Sequence, residues 1–449
     1  MEFQINKEFI AYVSKLFAEN NTKQVINIFK DVHHADLAEL FNEIEPELAV
    51  SIIKILDTDK TSDAIVELDE DVREDILKGL SSEEIAKEVD ELDSDDAADV
   101  ISELSEEQKE EVISKIEDVE HAKDIVDLLR YDEDTAGGLM GKELVKVRES
   151  WTNMQSIKEM RLQATEVERV YTIYVVDNND VLKGRLSLKS LLTTSTKALV
   201  NEVYSTSITS VKVDDKAEDV AKVMQKYDLV VVAVVDEMNR LVGQITIDDI
   251  VDVIIDEAKE DYQMAAGITD DVEADDSILE LTKARLPWLI LGLFGGLGAA
   301  AIMGSFEDTL SRFPILFFFT PLIAAMAGNV GVQSSAIIVQ GLANDNIKGS
   351  LWDRLIKEVS LSLINGLVLG CLVLAYGFVQ DFQILTSLTI AISLVIVIII
   401  AALIGTFVPI ILHKRGIDPA LATGPFITTS NDIFGIFIYF MIAKIILPI

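Results

Sequence analysis

Three hydrophobic patterns follow one another along the chain. Over residues 1–134, apolar side chains recur three and four apart, as in Leu37-Leu40-Phe41-Ile44, Ile85-Val89-Leu92 and Val100-Ile101-Leu104. That spacing predicts short amphipathic helices. Their starts are marked by serine and acids, as in Ser81-Ser82-Glu83-Glu84 and Asp93-Ser94-Asp95. The stretches ADLAELFNEI, SEEIAKEVDEL and DAADVISEL resemble one another, which suggests a stack of helical hairpins. Residues 138–260 change to strand-like runs, Tyr171-Thr172-Ile173-Tyr174-Val175-Val176 and Val230-Val231-Val232-Ala233-Val234-Val235. Each is followed by a turn (DNND, DEMNR), a second short strand (LKGRLSL, LVGQITI) and a helical stretch, an internal duplication of about 60 residues.

Beyond residue 285 the pattern is continuously apolar. A helix needs about 20 mostly apolar residues to cross a bilayer. Residues 286–304, 313–344, 359–380 and 382–412 carry no charge, and 419–449 is apolar apart from Asp432 and Lys444. Five spans place the two chain ends on opposite sides. Lys283, Arg285, Lys348, Arg354, Lys357, Lys414 and Arg415 fall on one side, against Arg312 and Lys444 on the other. Basic residues favour cytoplasmic loops, so the N-terminal part is expected in the cytoplasm and the C-terminus outside. MEFQINKEFI has neither the basic nor the apolar region of a signal peptide, which agrees.

Two spans carry polar groups that lipid would not tolerate. The second holds Pro321 and then Gly328-Asn329-Val330-Gly331-Val332-Gln333-Ser334-Ser335. Such groups must face other helices or a wet cavity. They suit either a small-residue packing seam or a pore lining. The fifth span contains Thr428-Thr429-Ser430-Asn431-Asp432 after Gly424-Pro425. Gly424, Thr428 and Asp432 fall on one helical face. Asp432 is the one acid in the middle of any span, with no mid-span base to pair with it, so a cation is its natural partner.

Charge sharpens this division. The formal net charge is −38, from 76 acids and 38 Lys or Arg, yet the mean hydropathy is +0.31. Residues 281–449 hold eight acids and nine Lys or Arg, so the other 68 acids and 29 bases lie in residues 1–280. An acidic part of this strength repels nucleic acid and favours metal cations. The single Cys371 excludes a disulfide framework and a thiolate cluster. Around the junction, Asp248, Asp249, Asp252, Asp256, Glu257, Glu260 and Asp261 are diluted only by Lys259. Asp249, Asp252 and Asp256 share a helical face, followed by Glu260, and a divalent cation would relieve their repulsion. A solvated acidic linker helix is the plain alternative.

The duplicated patterns "VVD…LxGxxSxxxL" and "VVD…LVGxxTxxDI" resemble a tandem pair of CBS domains. Members of that family pack as pseudo-dimers and often bind adenine nucleotides, which makes ATP a candidate ligand. The family's ribose-holding hydroxyl-x-x-Asp corresponds to Thr246 and Asp249. In the first copy Ser187 is followed by Ser190, without the carboxylate.

The order of parts, with YDEDTAGGLM at 131–140, GNVGVQSS at 328–335 and DPALATGPFITTSND at 418–432, resembles the MgtE family of magnesium channels over nearly the whole length. The resemblance implies a multi-domain α+β membrane protein. Its parts would be an acidic helical superhelical N domain (1–134), a CBS pair (138–200 and 201–260), a linker or "plug" helix (261–284) and five transmembrane helices (285–449). It implies a homodimer whose two-fold axis carries a Mg²⁺ pore between spans 2 and 5, with a pair of Asp432 carboxylates holding a hydrated ion. Asn329, Gln333, Thr428 and Asn431 would line the pore. The family often has Asn where this chain has Gly424. Cytosolic Mg²⁺ would bridge the acidic domains and hold the pore shut. The matching sensor acids are Asp95, Asp99, Glu218, Asp228, Asp249, Asp252, Glu257, Glu260 and Asp261, with Asp63 as a conservative substitute. Lys216 stands where the family has another acid. A proton-coupled cation transporter, with Asp432 titrating in each cycle, is the alternative. An enzyme is not expected, because the spans hold no HExxH and no second mid-span Asp.

Overall fold

The computed structural model describes residues 5–165, 167, 169–269, 272–274, 276–343, 350–422 and 424–448. The chain divides into two units, Met1–Ile255 and Asp256–Ile449. Lys348 and Thr423 lie outside the described residues.

The first unit opens with ten short helices. They are α1 (Lys7–Ala18), α2 (Thr22–Phe29), α3 (His34–Glu43), α4 (Pro46–Ile53), α5 (Thr58–Val66), α6 (Glu70–Gly79), α7 (Ser82–Val89), α8 (Ser94–Ser102), α9 (Glu106–Ile113) and α10 (Val119–Leu128). Caps fix their starts: Ser81 Oγ accepts from the Glu84 N–H while Glu84 Oε2 accepts from the Ser81 N–H at 2.8 Å. Helices two places apart pack on each other, α3 on α5, α5 on α7 and α7 on α9, with α4 on α6 and α8 on α10. That stagger is a superhelical stack in which each apolar stripe is covered by the helix two further on. The apolar positions that define the sequence periodicity, from Leu37 to Leu104, are all buried in it.

Two βαββα repeats follow. In the first, β1 (Val145–Arg148), α11 (Asn153–Gln163), β2 (Ile173–Val176), β3 (Leu182–Leu186) and α12 (Leu188–Thr193) follow in order. The second has β4 (Ser210–Lys212), α13 (Ala217–Tyr227), β5 (Val231–Val235), β6 (Leu241–Thr246) and α14 (Ile247–Ala266). In both, the middle strand pairs parallel with the first and antiparallel with the third. Even an irregularity repeats, between Val175/Val176 and Val234/Val235. The copies meet where the Leu182 N–H donates to the Asn239 carbonyl and the Leu241 N–H to the Asp180 carbonyl, each at 2.9 Å. Tyr174, Val176, Ala233 and Leu241 form their shared core.

The YDEDTAGGLM segment joins the helical stack to the second repeat. Its Ala136 and Gly137 N–H groups donate to the carbonyls of Asp215 at 2.7 Å and Val213 at 2.9 Å. A Cβ on Gly138 would stand 2.5 Å from the Asp132 carbonyl oxygen, so the turn closes only with glycine there.

One boundary differs from expectation. The linker helix does not occupy 261–284; α14 is continuous from the second repeat through Ala266. It stops at Gly267, whose φ of +82° is left-handed. The acidic run hides that stop, because Thr246 caps a helix that nothing before Gly267 interrupts.

The second unit contains α15 (Ile278–Ser305), the short α16 (Glu307–Arg312), α17 (Ile315–Ala343), α18 (Leu351–Val379), α19 (Ile384–Lys414) and α20 (Gly424–Ile446). Five of them are long and apolar enough to cross a membrane. Helix α19 is the centre, packing on α17, α18 and α20, while α15 packs on α20. A Cβ on Gly405 would lie 2.3 Å from the Gly331 carbonyl oxygen, so α17 and α19 touch backbone to backbone.

Candidate functional site

In the first unit, the start of α8 is pinned against the loop after the YDEDTAGGLM segment. Ser94 is fully buried. Its N–H donates to Glu143 Oε1 at 3.1 Å and its hydroxyl to Glu143 Oε2 at 2.9 Å. Its hydroxyl oxygen accepts from the Lys142 N–H at 2.9 Å. Gln244 on β6 holds the other side of the loop through backbone bonds with Gly141 at 2.9 and 3.0 Å, and its side chain reaches the Glu143 carbonyl at 2.7 Å. A Cβ placed on Gly141 would lie 3.0 Å from Asp95 Oδ2 and 3.2 Å from Glu143 Oε2. Two carboxylates therefore flank a glycine that leaves room between them.

Asp249 joins them from the first turn of α14. Its Oδ2 accepts from the Thr246 hydroxyl at 2.8 Å and the Thr246 N–H at 3.2 Å. The expected Thr246–Asp249 pair is thus brought together as a helix cap. In the first repeat, Ser187 and Ser190 share a hydroxyl–hydroxyl bond of 2.8 Å instead.

The electrostatics of this group are unfavourable to charge. Burial and the neighbouring acids Asp96, Asp249, Glu143 and Asp93 push Asp95 well above the usual carboxylate range. Asp96 is pushed to about 8 by burial, then by Asp249, Asp99, Asp93 and Asp63. Asp99 is exposed at the surface, yet desolvation and Glu133 raise it to about 7 against the lowering influence of Arg73. Burial also raises Asp249, with Asp248 and Asp252 adding to it and the Thr246 bonds opposing it. The nearby bases are committed, Arg73 to Glu103 and Lys142 to Asp127 at 2.8 Å.

Among the described residues, no three His, Cys, Asp or Glu side chains converge as a finished coordination shell. The donor set nevertheless fits Mg²⁺, which keeps several of its waters and is held through one or two carboxylates at a time. Asp95, Asp99, Asp249 and Asp252 are the expected sensor acids gathered here. Asp63 reaches toward Asp96 but is engaged by His34, Nδ1 to Oδ2 at 3.0 Å. Glu218 and Asp228 are not part of the group. They mark the two ends of α13, roughly 15 Å apart at helical rise, and Glu218 pairs with Lys222 at 2.5 Å. In the second unit Glu257, Glu260 and Asp261 lie on the last turns of α14, where Lys259 pairs with Glu273 at 2.9 Å.

The membrane helices place the other candidates. Asp432 and Thr428 lie one turn apart on α20, both half-buried. No described residue makes a hydrogen bond or ion pair with Asp432. Asn329 and Gln333 share an exposed face of α17, one turn apart. Asn431 is buried, its amide donating to the Ala327 carbonyl at 3.3 Å. It ties α20 to α17 within the protomer. Gly424 begins α20 in the left-handed region, φ +47°.

Family models match three parts of the chain: a divalent cation transporter domain over 320–442, an intracellular N domain over 32–134 and a CBS domain over 200–256. A curated relative, the magnesium transporter MgtE of Enterococcus faecalis, is 37% identical over 326 residues, 72% of each chain. The chain belongs to the MgtE family. MgtE of Thermus thermophilus is similar to it too, 36% identical over 71% of this chain and 72% of that one. A solved structure described as the cytosolic domain of the Mg²⁺ channel MgtE in complex with ATP covers 54% of this chain and 98% of its own, with a TM-score of 0.50 and 32% identity. This MgtE chain therefore has the helical N domain, the CBS domain and the five apolar helices that its sequence implies.

Two contributors escaped the sequence reading. Glu143 joins the acidic group because Ser94, 49 residues earlier, binds it. Its one signal is its position three residues after the YDEDTAGGLM motif. Asp96 is surrounded by acids on every side named above, and helical spacing alone gives it no more weight than its neighbours.

Proposed function

We propose that this chain is a Mg²⁺ channel that takes the ion up across the cell membrane and is held closed by cytosolic Mg²⁺. Asp432 carries the conduction reading. It is a mid-span carboxylate, half-buried and without a protein partner among the described residues. In a homodimer two copies would face one hydrated ion and bind it through its waters, weakly enough for release. Asn329, Gln333 and Thr428 would supply further outer contacts. The N-terminal part is then cytoplasmic and the C-terminus outside.

The gating reading is supported by the acids around α8. Asp95, Asp96, Asp99, Asp249 and Glu143 crowd one another, so a cation binding between them would stabilise the arrangement that brings them together. Falling Mg²⁺ restores their repulsion. Glu218, Asp228, Asp252, Glu257, Glu260, Asp261 and Asp63 would contribute further sites as the parts meet. Thr246 and Asp249 are also where a nucleotide ribose would bind, so ATP is a second candidate ligand. Mg²⁺ uptake and patch recording of Asp432→Asn across a range of cytosolic Mg²⁺ test the whole. Loss of conduction in the variant and inhibition of the unaltered protein by rising Mg²⁺ are expected. Normal conduction by the variant removes the pore assignment. Flux that requires an opposing proton gradient would favour the proton-coupled alternative, in which Asp432 itself titrates.

A further inference from the structure

One carboxylate inside the membrane unit has no part in this account. Glu358 sits seven residues into α18, and 21 uncharged residues follow it before the helix ends at Val379. Its Oε1 accepts the hydroxyl of Ser334 at 2.5 Å. Ser334 is buried at 6% exposure and lies nine residues before the end of α17. At helical rise the pair is roughly 10 to 13 Å inside the ends of both helices, at the edge where the charged start of α18 gives way to its uncharged run.

The bond joins two helices that otherwise meet mainly through α19. It also lands on the polar segment of α17, directly after Gln333. Successive residues on a helix point about 100° apart, so anchoring Ser334 fixes where Gln333 and Asn329 point. In the protomer Ser334 and Ser335 face inward while Asn329 and Gln333 are exposed. Gly328 and Gly331 let α17 lie close to α20, where Asn431 already ties the two helices through the Ala327 carbonyl. The charge-assisted bond to Glu358 adds a second tie, from α18.

The geometry points to Glu358 as a positioning residue of the conduction path: through Ser334 it sets the rotation of α17 and so presents Asn329 and Gln333 to the passing cation. This rests on the conduction reading above. The test measures half-saturating Mg²⁺ and the Mg²⁺-to-Ca²⁺ flux ratio in the reconstituted full-length protein. Glu358→Leu and Ser334→Ala should each raise half-saturation roughly tenfold, the scale of one lost hydrogen bond to a charged group, and lower the flux ratio. The double variant should be no worse than the single ones. Glu358→Gln keeps an acceptor oxygen and should restore most of both properties. Ser334→Ala carries the test where Glu358→Leu fails to fold. Unchanged half-saturation and selectivity in Ser334→Ala would overturn the inference, as would Glu358→Gln behaving like Glu358→Leu. If Asp432→Asn abolishes conduction while the Ser334 and Glu358 variants conduct normally, the pore reading stands and this inference alone fails.

Discussion

Gly424 and Ala265 meet without side-chain atoms between them: a Cβ on Gly424 would stand 2.2 Å from the Ala265 carbonyl oxygen. The neighbouring residues repeat the arrangement in reverse, since a Cβ on Gly267 would lie 2.4 Å from the Pro425 ring. The end of α14 and the start of α20 therefore fit together through two glycines, both left-handed.

A side chain at position 424 should loosen that fit. Asparagine tolerates the left-handed backbone, so Gly424→Asn tests the contact with little added backbone strain. It must push Ala265 away. If this contact belongs to the closed channel, the variant should need about five- to tenfold more cytosolic Mg²⁺ for half-inhibition, equivalent to about 1 to 1.4 kcal/mol of coupling. Mg²⁺-titrated patch recording reads this directly. An unchanged half-inhibitory concentration would separate the contact from gating.

Neutralising Asp95 and Asp249 together, as Asp95→Asn with Asp249→Asn, should act on the sensor and spare the pore. Both carboxylates are raised by burial and by other acids. In chelator at about pH 8.5 the double variant should unfold at a higher temperature than the unaltered protein, because repulsion among ionised acids has been removed. Its inhibition by Mg²⁺ should weaken about tenfold, or roughly 1.4 kcal/mol, with maximal current retained. Equal melting temperatures in chelator, with unchanged inhibition, would remove these residues from the sensor.

Much of this is legible in the sequence. The five spans follow from the need to keep about 20 residues out of water, and Asp432 is conspicuous because nothing near it in sequence offsets its cost. The repeated strands at Ile173–Val176 and Val231–Val235 are apolar runs dominated by β-branched residues. Strands β1 and β4 were not legible, being three or four residues long and too short to display a period. Contacts between distant segments were equally hidden. The Ser94–Glu143 clamp, the Ser334–Glu358 bond and the burial of Asn431 against Ala327 depend on tertiary packing that no local pattern encodes.

Glu88 offers a stability test away from both sites. It is 7% exposed, accepts the Thr61 hydroxyl at 2.7 Å, and burial raises it from 4.5 to about 7. Its contribution is present below the unfolded value and is lost as pH rises through the folded one. The shift corresponds to about 3 kcal/mol across that window. Glu88→Gln keeps an acceptor for Thr61 and cannot ionise. Its melting temperature should therefore fall less than that of the unaltered protein between pH 5 and pH 8. Parallel pH profiles would show that Glu88 is not held neutral.

The acidic group around α8 predicts how protons and cations trade places. Asp96 and Asp99 are raised from 3.8 to about 8 and about 7, so the folded state binds protons more tightly than the unfolded chain. Stability from this source is complete below about 4 and is lost as pH rises through 7 to 8. A divalent cation supplies at high pH the neutralisation that protons supply at low pH, and protons compete with it in between. Full-length protein melted in chelator should lose stability from pH 5.5 to pH 8.5. Added Mg²⁺ should restore most of it at pH 8.5 and little at pH 5.5. A Mg²⁺ effect equal at both pH values, or larger at the acidic end, would mean that the ion binds somewhere other than among these carboxylates.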